Sequence, residues 1–334
     1  DIYRALHYGG QKFLQNIHMD KVVIGISGGI DSAVAAALYA KILPPEKVLL
    51  VNMPSIYNSA LTKSLAQQLA DNLGCPNMII PIQPAVELTK KQFQDIPVYL
   101  QGKEKEKLTL SSFILENIQA RDRSSRVLAA AAAAFGCGFT CNANKAETTV
   151  GYSTLYGDQA GFLALLGDLW KYQIYELAHY LNDVIYKKEV IPQGIIDIVP
   201  SAELSAEQDI TAGQGDPLKY PYHDFLFRAF VERWEKATPE DILRWYHSNT
   251  LDEELGCPPG TTAKYFPDAQ GFIEDLEYWW NRFNGMAIAK RIQAPPIMAV
   301  SRRAFGFDYR EAQNGPYYTQ KYLQLKKELL TANK

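Results

Sequence analysis

Long hydrophobic runs are missing from this sequence. No stretch reaches the roughly 18 apolar residues that a membrane span needs, so no membrane-embedded segment is expected. An excess of either charge is missing too. Lys and Arg number 34 against 37 Asp and Glu, a net charge of −3. That balance does not suit wholesale binding to nucleic acid or to an anionic membrane. Cysteine is scarce: Cys75, Cys137, Cys141 and Cys257 are the only four. Cys137 and Cys141 form a C-x3-C pair, but no second pair and no nearby His completes a metal site. The four read as ordinary buried or loop thiols, which fits a reduced, cytoplasmic setting. The N-terminus, DIYRALHYGGQKFLQ, has no secretory signal. It also has no initiator Met, which fits a processed product or a piece of something longer.

What is present is the profile of a globular protein. The 334 residues are 47% hydrophobic and 21% charged, enough for one large domain or two smaller ones. DIYRALHYGGQKFLQNI has apolar residues at helical spacing. KVVIGI is a short β-branched run suited to a strand buried on both faces. DSAVAAALYAKIL follows as a helix of strong helix formers. VLLVNMPS and NMIIPI read as further strands, with the helix NSALTKSLAQQLADNLG between them. Asn58 or Ser59 is its candidate N-cap, and Gly74 its stop. This alternation predicts a doubly wound parallel α/β sheet.

ELTKKQFQDIPVYLQGKEKEKLTL is polar and reads as a surface excursion. SSFILENIQARDRSSRVLAAAAAAFG resumes as one long helix, and GFTCNA as a fourth strand. Beyond Tyr186 the pattern turns helical. It includes PSAELSAEQDITAGQGDPLKYPYHD, a loop too long for a passive connector. The boundaries expected are an α/β core over 1–190 and a helical region over 191–334, with a lid-like loop over 203–222.

The richest signal is KVVIGISGGIDSAVAAALYAKIL. Glycines at a strand-to-helix turn let the backbone approach a ligand. The helix behind them offers free N–H groups and a positive dipole end, an anion site. Ser27 and Ser32 add hydroxyls. A carboxylate, Asp31, repels phosphate unless Mg²⁺ joins the two. The turn therefore reads as a site for Mg²⁺ and a polyphosphate; a plain glycine-rich connection is the alternative. The spacing is neither G-x-x-x-x-G-K-[ST] nor G-x-G-x-x-G.

S-G-G-x-D-S after a buried strand resembles the pyrophosphate loop of the N-type ATP pyrophosphatases. ENIQARDRSSRVLA, NANKAETTVGYSTLYGD, GDLWKYQIYELA, VPSAEL and AKRIQAPPI resemble, in order, the blocks of NAD synthetase. VNMPSIYNSALT, LENIQAR and GYSTLYGD are most similar to the synthetase portion of the glutamine-dependent enzymes. The resemblance covers almost the whole chain and implies a Rossmann-like fold of the adenine nucleotide alpha hydrolase type. It implies ATP-dependent amidation of nicotinic acid adenine dinucleotide (deamido-NAD) to NAD through an adenylate, with ammonia as nucleophile.

The same resemblance assigns roles. Gly25, Ile26, Ser27, Gly28, Gly29, Ile30, Asp31 and Ser32 would cradle the ATP phosphates, with Asn142, Lys171 and Ser201. Asp31 and Glu147 would hold Mg²⁺. Asn117 and Arg121, four apart on one helix face, would meet deamido-NAD with Tyr152, Ser153, Thr154, Leu155 and Lys290. Asp158 would help there or orient ammonia, and is grouped with Asp31 and Lys171 as catalytic. The chain departs from the family at Asn142, where Thr is usual, and at Ala146, where many members have Ser. It also has Ala289, where one ammonia-dependent branch has His. A homodimer is implied. A glutamine amidase, as a lost domain or a partner, would supply ammonia from glutamine.

Two rivals stand beside this reading. One is another ATP pyrophosphatase, such as a tRNA-modifying or GMP-synthetase-like enzyme; an RNA-binding member needs basic surface that this composition lacks. The other is a non-catalytic module on a decayed synthetase fold. Such a module would be expected to lose Asp31, Glu147 or Lys171, and all three are present. The loop 203–222 is expected to close over the ATP phosphates and shield the adenylate from water.

Overall fold

The computed structural model describes residues 1–201, 203, 215–301 and 318–332. The first part alternates helix and strand: α1 (Ile2–Asn16), β1 (Val22–Ile26), α2 (Ile30–Ile42), β2 (Val48–Asn52), α3 (Ala60–Leu73) and β3 (Asn77–Ile79). Then come α4 (Gln83–Gln92), β4 (Ile96–Leu100), β5 (Lys103–Leu108), α5 (Ser112–Arg121), α6 (Ala129–Phe135), β6 (Gly138–Phe139), α7 (Lys145–Val150), α8 (Lys171–Tyr180) and α9 (Gln193–Asp197). The rest is helical: α10 (Tyr220–Val231), α11 (Pro239–His247), α12 (Leu251–Leu255), α13 (Thr261–Tyr265), α14 (Ala269–Phe283), α15 (Ala287–Gln293) and α16 (Gln320–Ala332).

The main sheet has the order β3-β2-β1-β6, and all its pairs are parallel. β1 is central, with Val22 opposite Val48 and Ile26 opposite Asn52. Its apolar run is buried because helices cover both faces. α2 leaves the end of β1 and is almost wholly enclosed. Its alanines let neighbouring helices and the sheet come close. Ser59 caps α3 by accepting from the Thr62 N–H, and Gly74 ends it in the left-handed region.

Two expectations change in detail. The polar excursion is at the surface, but it contains α4 and an antiparallel ribbon of β4 and β5. Alternating Lys and Glu over residues 103–107 keep β5 exposed and in water. The long helix after Ser111 runs to Phe135, but residues 122–128 wind as a π-helix between α5 and α6. Residues 204–214, most of the expected lid, lie outside the described residues.

The helical region builds its own aromatic core from Tyr222, Phe227, Phe230, Phe272 and Trp279. Each such ring contributes about 1.5–3 kcal/mol on burial. The same cluster takes in Ala146, Val150 and Trp170, so α7 and the start of α8 lie where the two cores meet. A buried ion network ties this junction together. Lys145 Nζ donates to Asp168 Oδ1 (2.7 Å), Glu232 Oε1 (2.5 Å) and Ser301 Oγ (3.3 Å). Asp168 Oδ2 also accepts the backbone N–H groups of Val300 and Ser301. Deeper in the helical core, His223 is fully buried and stacked on Phe227. Its Nδ1 accepts the Lys219 N–H, so Nε2 carries the proton donated to Asp275 Oδ2 at 2.8 Å.

Candidate functional site

The turn after β1 opens at the carboxyl end of the parallel strands, where such sheets bind ligands. Gly28 there has φ +88°, and a Cβ would stand 2.4 Å from the Thr62 carbonyl oxygen. Only glycine lets the turn lie that close to α3. Ser32 Oγ donates to the Gly29 carbonyl at 2.9 Å, and Ser27 Oγ accepts the Gly29 N–H. The two hydroxyls thus brace the turn as well as facing the cavity.

That cavity holds about 280 Å³ of space accessible to water. Residues 25–32, Asn142, Lys171 and Ser201 all line it, as do Glu147, Tyr152, Ser153 and Asp158. Asn142 is committed on both sides: its Nδ2 donates to the Gly25 carbonyl (3.0 Å) and its Oδ1 accepts from Thr140 Oγ1 (2.9 Å). Asn in place of Thr therefore anchors β1 to the strand beside it.

Three carboxylates and one ammonium dominate the floor. Lys171 Nζ donates to Asp31 Oδ2. Asn144 Nδ2 donates to Asp31 Oδ1 at 3.3 Å. Asn144 also caps α7, accepting from the Glu147 N–H while Glu147 Oε2 accepts the Asn144 N–H. One asparagine so fixes both proposed metal carboxylates. The Tyr220 hydroxyl reaches Glu147 Oε1 and Asp216 Oδ2, each at 3.3 Å. Desolvation, reinforced by Asp31, pushes the Glu147 carboxyl up to about 8. Burial pulls Lys171 down, but Asp31 and Glu147 outweigh it and hold the ammonium charged above its ordinary range.

This excess of negative charge tests the fit of a cation. Among the described residues no three Asp, Glu, His or Cys side chains converge on one point. Mg²⁺ needs no such cage, since one or two carboxylates with phosphate oxygens and water suffice. Asp31 and Glu147, beside a glycine turn open to an anion, meet that requirement.

The remaining expected residues gather next to the cavity around the turn after α7. Thr154 Oγ1 donates to Asn117 Oδ1 (2.9 Å), and Arg121 Nε to the Leu155 carbonyl (3.0 Å). Asp158 Oδ1 accepts the Thr154 N–H at 2.7 Å. Its carboxyl is raised by desolvation against the pull of that N–H. Lys290 Nζ donates to the Gly151 carbonyl (2.8 Å) and to that of Ser153. Gly151, at φ +63°, lets α15 pack there: a Cβ would lie 2.7 Å from Ala287 Cα. Asn117, Arg121, Thr154, Leu155 and Lys290 form this second group and do not line the cavity itself.

Sequence reasoning passed over several residues here. Arg123 lines the cavity, donating to the Met53 carbonyl (3.1 Å) and Asn58 Oδ1 (3.3 Å). Burial lowers it to about 10. Glu203 accepts from Asn58 Nδ2 and the Ser59 N–H, both at 3.1 Å. Asn144 and Asp224 were equally unassigned, while Glu203, Asp216 and Tyr220 fall in the loop 203–222 expected to close over the site, the last of them as the first residue of α10. Arg123 and Asn144 sit inside motifs already singled out, so spacing could have flagged them. Asp224 comes from a helix remote in sequence and carried no local signal.

The parallel sheet, the glycine turn and the paired carboxylates define an α/β nucleotide-site fold of the adenine nucleotide alpha hydrolase type. Residues 2–253 match the family model for NAD synthase, and the chain belongs to that family. It is 33% identical over 310 residues to the glutamine-dependent NAD(+) synthetase of Thermotoga maritima, covering 93% of this chain and 47% of that protein. It is 32% identical over 314 residues to that of Aquifex aeolicus, again covering 93% and 47%. The chain thus spans about half the length of these relatives. The solved NMN synthetase of Francisella tularensis superposes with a TM-score of 0.58 at 27% identity, covering 87% of this chain and 94% of that one. A glutamine-dependent NAD(+) synthetase from Cytophaga hutchinsonii superposes at 0.70 with 15% identity, over 98% and 55%, a likeness of fold. No described helix is long and apolar enough to cross a membrane.

Proposed function

We propose that this chain is the synthetase part of an enzyme that amidates deamido-NAD to NAD at the expense of ATP. The observation that carries the reading is the convergence of Asp31, Glu147 and Lys171 on the glycine turn, with the Asn117–Thr154–Lys290 group alongside. In this reading the residue 25–32 turn holds the ATP phosphates, and Asn142 and Ser201 line the same cavity. Lys171 neutralises charge that develops as pyrophosphate leaves. Asp31 and Glu147 hold Mg²⁺, which supplies further charge neutralisation there. The Asn117, Arg121, Tyr152, Ser153, Thr154, Leu155 and Lys290 group positions the dinucleotide so that its nicotinate carboxylate meets the α-phosphate. The carboxylate oxygen forms the new bond to that phosphorus, and pyrophosphate departs. Ammonia then attacks the acyl carbon, AMP departs, and a proton is lost from nitrogen. In this reading Asp158 either helps to hold the dinucleotide turn, where it accepts the Thr154 N–H, or orients the nucleophile.

The reading treats residues 1–190 as the ATP pyrophosphatase core and 191–334 as the helical part of one synthetase domain, working as a homodimer. Where glutamine is the source, an amidase domain or partner delivers the ammonia. The test is NAD formation from deamido-NAD, ATP, Mg²⁺ and ammonium, with AMP and pyrophosphate released in equal amounts. Pyrophosphate release with bulk tRNA but not with the dinucleotide would favour the RNA-modifying alternative. A second reading, formation of NMN, is favoured by likeness to the Francisella NMN synthetase, which this chain nearly spans. Offering the mononucleotide and dinucleotide substrates side by side separates the two.

A further inference from the structure

α8 begins with Lys171, yet its N-cap is Trp170, whose side chain has no oxygen to accept an end N–H. Gln173 reaches back to the Trp170 N–H at 2.9 Å. The first-turn N–H of Tyr172 is satisfied from another helix. Asp224 Oδ2, on α10, accepts it at 3.0 Å, one residue after Lys171. Asp224 is 1% exposed, and its Oδ1 has no hydrogen-bond partner among the described residues. Burying a half-satisfied carboxylate is costly. One turn earlier on the same face of α10 stands Tyr220. Its ring lies 4.9 Å from the Lys171 ammonium, and its hydroxyl reaches Glu147 and Asp216.

We propose that Tyr220 and Asp224 are positioning residues for Lys171: Asp224 fixes the backbone from which the side chain springs, and Tyr220 supports the ammonium. The lysine stem is long and its four torsions are soft, so a bare lysine would sample many directions. The carboxylate sets the origin of that stem and the ring sets its end. Both come from one rigid turn of α10. That turn belongs to the aromatic core of the helical region, so the aim of a side chain in the α/β core is set by the packing of the helical region. The inference rests on the reading of Lys171 as the phosphate-binding lysine.

The experiment uses the full chain, five single variants (Asp224→Leu, Asp224→Asn, Tyr220→Leu, Tyr220→Phe and Lys171→Met) and the Tyr220→Leu, Asp224→Leu double variant. Pyrophosphate release and dinucleotide KM are measured for each, with thermal unfolding to show that the fold is retained. Each leucine variant should lose kcat by roughly 10- to 100-fold, the size of effect expected from misplacing a reacting group by about 1 Å. Dinucleotide KM should hold in Asp224→Leu, because Asp224 contacts none of the dinucleotide group; Tyr220 shares Asp216 with Tyr152, so in Tyr220→Leu the readout is kcat alone. Asp224→Asn keeps an acceptor and Tyr220→Phe keeps the ring, so each should recover much of the loss. The double leucine variant should lose less than the product of the single losses, since both act through one ammonium. Should Asp224→Leu fail to fold, Asp224→Ser replaces it with the same expectation. Wild-type kcat in the leucine variants beside an inactive Lys171→Met would overturn the inference alone. So would equal losses in conservative and leucine variants. Full kcat in Lys171→Met would overturn the reading of the lysine itself.

Discussion

The ammonium of Lys171 rests on the carboxylate of Asp31, a contact that spans 140 positions of sequence. Lys171 is 3% exposed and the Asp31 side chain 20%. The lysine thereby occupies the carboxylate that is expected to take Mg²⁺. It also counters Glu147 and Asp216, whose charges help to keep it protonated.

Lys171→Met therefore removes the cation that offsets Asp31, Glu147 and Asp216, whereas Asp31→Asn leaves the lysine its other two acidic neighbours. The first change should destabilise more, by about 3–5 kcal/mol. Mg²⁺ should raise the Tm of Lys171→Met by more than that of the wild type. Calorimetry with and without the ion checks both the ranking and the difference.

Activity should follow a different order. Asp31→Asn keeps the shape and removes the charge, so kcat should fall roughly 10²-fold or more. Near-normal kcat at saturating Mg²⁺ would remove Asp31 from the metal site.

Nitrogen source gives a third expectation. All four thiols are pushed above their ordinary range by burial, Cys75 to about 11 and Cys141 and Cys257 to about 12. A nucleophilic cysteine needs the opposite shift. The chain by itself should form NAD from ammonium and should not hydrolyse glutamine. Glutamate release at a rate matching the ammonium reaction would contradict this.

The Lys145 network offers a test of packing rather than chemistry. Lys145 and Asp168 are both fully enclosed. Lys145→Met strands two carboxylates and should cost about 3–5 kcal/mol. Asp168→Asn should cost less, because Glu232 still pairs with the lysine. Urea titrations of the two variants give the comparison directly.

Acid should weaken the helical core through His223. Burial lowers its pKa, while the unfolded chain protonates near the ordinary value of about 6.5. Below that pH the unfolded state binds the extra proton, so stability is lost as pH falls, by about 1.4 kcal/mol per unit. A proton on Nδ1 would also evict the Lys219 N–H. Asp275 and Lys219 are the charged groups that face the ring. His223→Gln should flatten the dependence of Tm on pH between neutral and mildly acid conditions.

How much of this was written locally explains what was legible. β1, α2 and the glycine turn were readable because their signals are contiguous: a β-branched run, two glycines and an alanine helix. The turn after α7 was readable through its resemblance to a known motif. Tyr220 and Asp224 were not, because their importance lies in meeting α8 across the molecule. Arg123 was hidden in plain view, since a solvated helix face and a cavity wall look alike in one dimension. The β4–β5 ribbon escaped because alternating Lys and Glu with few apolar residues resembles a loop. The pairing that makes it a ribbon runs from Ile96 with Leu108 to Leu100 with Lys103.

The π-helical winding at 122–128 has a consequence for numbering along that helix. It holds one more residue than an ideal coil would between its two ends. α5, before it, carries Asn117 and Arg121, while Val127, Leu128 and Ala131, within and after it, pack in the core. Each face is in register only with its own partners. Deleting one residue between 122 and 126 would restore an ordinary coil and turn α5 by about 100° relative to α6. α6 would stay seated, while Asn117 and Arg121 would swing past Thr154 and Leu155, and Ile118 would leave the core it shares with Leu128. A frame of one residue thus decides whether Asn117 and Arg121 meet Thr154 and Leu155.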